Sequence, residues 1–307
     1  MPAHRLILDC DPGVDDAFAM MLAFAAPEKI EMLGVTCVAG NRPLEQTAYN
    51  ARRLCALAGR PGIPVYAGCP RPIMWAEGEP VDVHGKDGLG DVTLPEPVAP
   101  LREGHAVQFI IDTVMREPEK TVTVCCIGPM TNLALAIVME PRIASRIREL
   151  VFMGGAAFRM AMYRVSEFNF YSDPHAAHIV LSAGIPQTMF GLDITYQAEV
   201  NPGIFQRLDN LPGPAPKALA DMLRTYASMD PRLHDVVATA YLIEPALFDG
   251  VDAHLAVEYG SATTRGLVVA RWTPPQLAGG YKPNARVITK TDPAAFFDLM
   301  LTYLARY

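Results

Sequence analysis

The chain has 307 residues, 50% of them hydrophobic and 19% charged, a globular composition that excludes a disordered protein and supplies a core without disulfides or a structural metal. Lys+Arg 26 against Asp+Glu 33 gives a net charge of -7 with no basic block, which argues against nucleic acid as a partner. Before Asp9 the only apolar run is Leu6-Ile7-Leu8, too short for a signal-peptide core or a membrane span, so a cytoplasmic protein without membrane association is expected.

Short apolar runs alternate with helical patterns through the first two thirds, the signature of β-α-β units and a mostly parallel sheet. The spacing predicts a buried strand at Arg5–Asp9 before a helix at Val14–Ala26, and a strand at Met32–Thr36 before a helix at Leu44–Ala58. A strand at Thr121–Ile127 precedes a helix at Thr131–Met139. Leu150–Met153 precedes a helix at Ser172–Ala183, and a strand near Thr188–Phe190 brings the parallel strands to at least five. Beyond Asp193 the pattern loosens into a Pro/Gly-rich stretch, helices at Lys217–Tyr226 and His234–Ile243, a hairpin of Val251–Val257 with Gly266–Arg271, and a final helix at Pro293–Leu304. No linker or repeat interrupts the pattern, so residues 1–307 are read as a single α/β domain with an open, mostly parallel sheet flanked by helices. The long loops Cys69–Pro100 and Ala157–Phe168 are where function is expected. The six cysteines, Cys10, Cys37, Cys55, Cys69, Cys125 and Cys126, form no C-x-x-C and lie in apolar stretches, as reduced core thiols do.

The segment Asp9-Cys10-Asp11-Pro12-Gly13-Val14-Asp15-Asp16 places four carboxylates within eight residues at the end of the first strand. A helix cap accounts for one or two acids, not four. A hard, oxygen-loving cation such as Ca²⁺ or Mg²⁺ would neutralise the cluster, and the carboxyl end of a parallel strand is where open sheets bind ligands. A haloacid-dehalogenase-type phosphatase also begins with strand-Asp-x-Asp, but it wants Thr or Val where Gly13 stands, and no phosphate-binding glycine motif is present.

With its flanks, the cluster resembles the opening Asp-x-Asp-Pro-Gly-x-Asp-Asp-Ala motif of the nucleoside hydrolase family, the inosine-uridine preferring nucleoside N-ribohydrolases. Further matches follow in order: Val38-Ala39-Gly40-Asn41, His84-Gly85-Lys86-Asp87-Gly88-Leu89-Gly90, Gly128-Pro129-Met130-Thr131-Asn132, Glu167-Phe168-Asn169, Leu192-Asp193-Ile194-Thr195 and Leu233-His234-Asp235. They span essentially the whole chain. The resemblance implies a nucleoside hydrolase-like fold with Rossmann-type layering and C-terminal insertions, and Ca²⁺-dependent hydrolysis of ribonucleosides to ribose and free base.

By this resemblance Asp11, Asp16 and Asp235 hold a Ca²⁺ through side-chain oxygens and Ile127 through its carbonyl, the remaining positions going to a water and the ribose 2′- and 3′-hydroxyls. Asp11 is the general base for that water. Asp15, Asn41, Glu167 and Asn169 match the family's ribose-binding set, and Asp9 orients its neighbours. His234, beside a ligand, is the candidate acid for the departing base, and His84 resembles a second active-site histidine of one branch. Tyr226 is the aromatic placed to approach the base, with core packing as its plainer role. His175 and His178 are read as packing residues. The resemblance also implies a homodimer or homotetramer.

One departure concerns the stretch before Glu167, where the family carries an Asn that contacts ribose and Ala161 stands near the expected position. Arg159, Tyr163 or Arg164 could substitute for it, and loop packing is the alternative. Trp75 and Trp272 fall in no family motif, and the choice among inosine, uridine and cytidine stays open. A non-catalytic nucleoside- or ribose-binding protein that retains the metal site is the competing function.

Overall fold

Leu6, Ile7 and Leu8 are fully buried in a computed structural model that describes residues 3–75, 82–159 and 165–307. Burial of consecutive residues is what a central parallel strand covered on both faces requires. That strand, β1 (His4–Cys10), lies between β2 (Ile30–Cys37) and β4 (Val122–Cys126), parallel to both. Leu6, Leu8 and Cys10 feed one core layer and Ile7 the other, following the two-residue period of a strand. The other strands are β3 (Val65–Ala67), β5 (Glu149–Met153), β6 (Gln187–Phe190), β7 (Phe248–Val257), β8 (Val268–Arg271) and β9 (Ala285–Thr291). Among the described residues they form a nine-stranded sheet in the order β3-β2-β1-β4-β5-β6-β9-β7-β8. All neighbours are parallel as far as β9; β7 and β8 run antiparallel at the edge.

The chain leaves β1 toward β2 and β3 and then resumes on the other side of β1 at β4. This reversal opens a crevice at the carboxyl ends of β1 and β4, where open α/β sheets bind ligands. The residues after β1 enter the helix Val14–Phe24, in which every residue is buried, Asp15 and Asp16 included. It packs against the helices Pro214–Ala227 and Val236–Ile243, which bring the C-terminal third of the chain over the crevice. Phe18, at the centre of this layer, is 0% exposed. Phe18→Ala is expected to cost about 3–5 kcal/mol in denaturant unfolding, as truncation of a buried aromatic does; a change under about 1 kcal/mol would mean the layer collapses around the gap.

The structure corrects several expected boundaries. The helix expected at Ser172–Ala183 runs over Pro174–Leu181 and follows a separate short helix, Phe168–Ser172, because Pro174 has no N–H to continue the first and Asp173 caps the second by accepting from Ala176 N. The fourth strand ends at Cys126, one residue before Ile127. The expectation of at least five parallel strands holds, and two more join them: β3 beside β2, and β9, from the loosely patterned C-terminal third, beside β6. All six cysteines are free and buried. His178 and His175 pack on Tyr259, at ring separations of 4.4 and 5.4 Å. Ala161, Tyr163 and Arg164 lie outside the described residues. No helix among those described is long and apolar enough to cross a membrane.

Candidate active site

The four acids at the end of β1 and just beyond it have different partners. Asp16 does the work of a helix start: its carboxylate accepts from the N–H groups of Gly13 at 2.9 Å and Asp11 at 3.2 Å, and from Asn41 Nδ2 at 3.1 Å. Asp9 turns away, accepting from Thr36 Oγ1 at 2.5 Å and Asn132 Nδ2 at 2.8 Å. Asn132 also donates to the Cys37 carbonyl and accepts from Cys69 N, so this one amide ties the ends of three segments together. Asp11 accepts from Asn41 N at 2.6 Å through Oδ2, and Gly40 and Gly128 close on its carboxylate so tightly that neither position has room for a side chain.

The cap therefore absorbs one acid, and the others leave bare oxygen. Asp11 Oδ1 and Asp15 Oδ1 are buried without a hydrogen-bond partner. Carboxylate oxygens of Asp15, Asp16 and Asp235 lie within 4.8 Å of one another, all three side chains buried. Burial pushes the Asp11 and Asp235 carboxyls well above the usual carboxylate range, and the charge of neighbouring aspartates pushes further. Asp16 rises for the same two reasons, and burial raises Asp9 to about 7 against its two hydrogen bonds. Converging buried carboxylates with unpartnered oxygens fit a divalent cation, whose charge would remove both penalties.

Of these acids, Asp15 and Asp235 line the floor of a cavity of about 180 Å³, and the Asp16 carboxylate lies within 4.8 Å of theirs. The Ile127 carbonyl borders it at the end of β4 and accepts from Asn169 Nδ2 at 2.9 Å, which also donates to the Met153 carbonyl at 3.1 Å. Asn169 thus spends its NH₂ on backbone and keeps its Oδ1 for other partners. Glu167 caps the helix Phe168–Ser172, accepting from Asn169 N and Gly155 N at 2.8 Å and Phe170 N at 3.1 Å. Burial still raises its pKa, against the pull of those three N–H groups.

The opposite wall carries His84, Tyr226, Tyr196, Asp230 and His234. His84 lies over Tyr226 with ring centroids 5.0 Å apart. Its Nδ1 accepts from Val14 N at 3.1 Å and burial holds its pKa below the ordinary value, so by the hydrogen-bond pattern the neutral ring carries its proton on Nε2. Tyr226 is both things the sequence allowed, a buried core residue and a wall of the cavity. His234 is held at both nitrogens, by Thr195 Oγ1 at 2.8 Å and Asp230 Oδ2 at 3.2 Å. Burial opposes its charge, but Asp230, with Asp15 and Glu167 beyond it, outweighs burial and raises its pKa. Asp230 in turn is lowered by His234 and Arg232 despite its own burial.

Of the residues that the sequence assigns to metal, sugar, base or proton transfer, all but Asp11 and Asp16 line this cavity, and those two accept hydrogen bonds from the lining residue Asn41. Asp15 stands closer to Asp16 and Asp235 than its assignment to the sugar alone requires. The sequence reading missed Asp230, Thr195, Tyr196 and Asn132. Thr195 and Asn132 lay within quoted motifs, but Asp230 and Tyr196 carried no local signal. Of the alternatives near Ala161, Arg159 lies over Tyr196 at 5.6 Å.

The profile of the inosine-uridine preferring nucleoside hydrolases matches residues 6–298. A Leishmania major protein named inosine-uridine preferring nucleoside hydrolase is 37% identical over 314 residues, covering 99% of this chain and 98% of its own. A Salmonella paratyphi B pyrimidine-specific ribonucleoside hydrolase is 36% identical, covering 99% of each chain. Among solved structures, a purine-preferring ribonucleoside hydrolase from Gardnerella vaginalis superposes with a TM-score of 0.89 at 32% identity, covering 98% of both chains. With the match extending over nearly its full length, the chain belongs to the family of inosine-uridine preferring nucleoside hydrolases.

Proposed function

We propose that this ribonucleoside hydrolase cleaves the N-glycosidic bond with Ca²⁺ held by Asp11, Asp16, Asp235 and the Ile127 carbonyl. The observation that carries the reading is the cavity itself, lined by the buried carboxylates of Asp15 and Asp235, with a bare oxygen on Asp15, and by a carboxylate-paired histidine, His234. Bound there, Ca²⁺ would supply the positive charge that makes a water more acidic and gathers the sugar's vicinal hydroxyls.

The chain's own residues do the rest. Asp11 takes the proton of the attacking water at Oδ1, the oxygen without a hydrogen-bond partner. Asp15, Asn41, Glu167 and Asn169 orient the sugar: Asn169 Oδ1 and the remaining lone pairs of Glu167 accept from hydroxyls. The electron-poor ribosyl centre that develops as the bond breaks is favoured by the surrounding carboxylates. His234 donates its Nε2 proton to the leaving base, giving up the contact with Asp230 Oδ2 as it does so, with His84 and Tyr226 forming the wall that the base meets. A binding protein without turnover is the poorer reading, since the chain retains both Asp11 and His234.

The test is a ribonucleoside panel with chromatography of the released bases, extended to 5′-modified nucleosides because of Ala161. Binding without base release across the panel would overturn the reading. The panel also decides among inosine, uridine and cytidine. Deoxyuridine is expected to have a kcat/KM lower than uridine by roughly 10–10²-fold, the cost of leaving buried sugar-binding groups unpaired. Equal values would remove the hydroxyl contacts. The whole chain acts as one domain, in the cytoplasm, as a homodimer or homotetramer; light scattering checks the assembly.

A further inference from the structure

The hairpin of β7 and β8 lies at the sheet edge, yet it touches the sugar-side segment at both of its described ends. At the first end, Ala157 N and Phe158 N donate to Asp193, at 2.7 and 2.8 Å, and the Phe158 ring meets Trp272 edge-on at 4.4 Å. At the second end, Ser166 Oγ donates to the Arg265 carbonyl at 2.8 Å, one residue before Glu167. The Arg265 side chain then turns inward. Its guanidinium carbon is 3.8 Å from the Tyr171 ring centroid and 4.8 Å from that of Trp75, and the residue is only 9% exposed. Gly266 makes the approach possible: at φ +80, a Cβ there would lie 2.5 Å from Ser166 Oγ and 2.7 Å from the Phe170 backbone.

A buried guanidinium between two rings is a costly element unless it fixes something: Arg265 meets Ser166 and Tyr171 on either side of Glu167 and Asn169, and Trp272 meets Phe158, three residues from the Gly155 whose N–H Glu167 accepts. Glu167 in turn is the acceptor for Gly155, Asn169 and Phe170 N–H groups, so a shift of Ser166 would pass directly into the sugar-side wall. We propose that Arg265 and Trp272 are positioning residues through which the hairpin sets the sugar-binding segment. The proposal rests on the reading above that Glu167 and Asn169 face the sugar. It also gives both tryptophans a place: Trp75 under Arg265 and Trp272 on Phe158.

The test combines hydrogen exchange with kinetics on the full chain. In Arg265→Ala, amide exchange at Gly155, Asn169 and Phe170 should quicken roughly tenfold, the scale of a lost buried cation–π contact, with the sheet unchanged. With the best ribonucleoside of the panel, KM should rise by a similar factor while kcat moves by less than about threefold. Arg265→Lys should recover part of both. Trp272→Ala, at a residue 40% exposed, keeps the fold safe and should raise KM about threefold, as loss of one partly exposed ring contact does. Unchanged local exchange, or a kcat loss at constant KM from a smaller folded fraction, would overturn the proposal. If the unmodified chain released no base, the functional reading would fall while the exchange pattern still decided the positioning.

Discussion

Dialysis against a chelator is expected to abolish base release, and added Ca²⁺ to restore it. The expected loss is on the order of 10³-fold or more, because several kcal/mol of charge stabilisation and the attacking water's acidity go together. Asp235→Asn should cause a comparable loss and weaken Ca²⁺ binding measured by calorimetry. It removes a charge from the group of Asp15, Asp16 and Asp235 oxygens that lie within 4.8 Å. The pH dependence has a definite sign. Asp9 and Asp16 are raised in the folded chain to about 7, so without a cation their protonation stabilises the fold at low pH and that contribution is lost as pH rises toward 7. The metal-free protein should therefore melt at progressively lower temperature from about pH 4 toward pH 8, and Ca²⁺ should raise the melting temperature most at the upper end. Full turnover after complete metal removal, or melting indifferent to Ca²⁺, would leave the buried carboxylates without their counter-charge and overturn the assignment.

What could be read in the sequence was what is local. Four acids within eight residues at the end of an apolar strand are visible because a cap consumes only one of them, and the hydrogen bonds of Asp16 bear this out. The helix Ala106–Arg116 was legible but not read: Ala106, Val107, Ile110, Ile111 and Val114 are buried at helical spacing. Other features had no local signature. Strand β9 pairs with β6 across almost one hundred residues of chain, as Met189 opposite Val287 shows, so its place could not be inferred from a short-range pattern. Asp230 reads as a turn acid before Pro231, and only the fold turns it onto His234 Nε2. Arg265 reads as a polar loop residue, and its burial depends on rings contributed by Trp75 and Tyr171 from distant segments.

His234→Ala should lower hydrolysis of a natural ribonucleoside by roughly 10²–10⁴-fold, the usual contribution of a positioned general acid. The same substitution should leave p-nitrophenyl riboside nearly unaffected, because a phenolate departs without a proton. The geometry makes the contrast sharp: Asp230 Oδ2 at 3.2 Å and Thr195 Oγ1 at 2.8 Å hold the ring in the wall of the cavity, and Asp230 outweighs burial to keep its pKa above the ordinary value. The proton is therefore held to higher pH than on an ordinary imidazole and is lost as pH rises through that raised pKa. Turnover of the natural substrate should fall along this limb, and turnover of the nitrophenyl riboside should not share it. Asp230→Asn should move the limb to lower pH, since it removes the charge that raises His234. A histidine that only supported the neighbouring Asp235 would act through the carboxylate floor, lowering both reactions together and weakening Ca²⁺ binding. Parallel losses on the two substrates would thus take the acid role from His234 and pass it to His84, whose neutral Nε2–H belongs to the same wall.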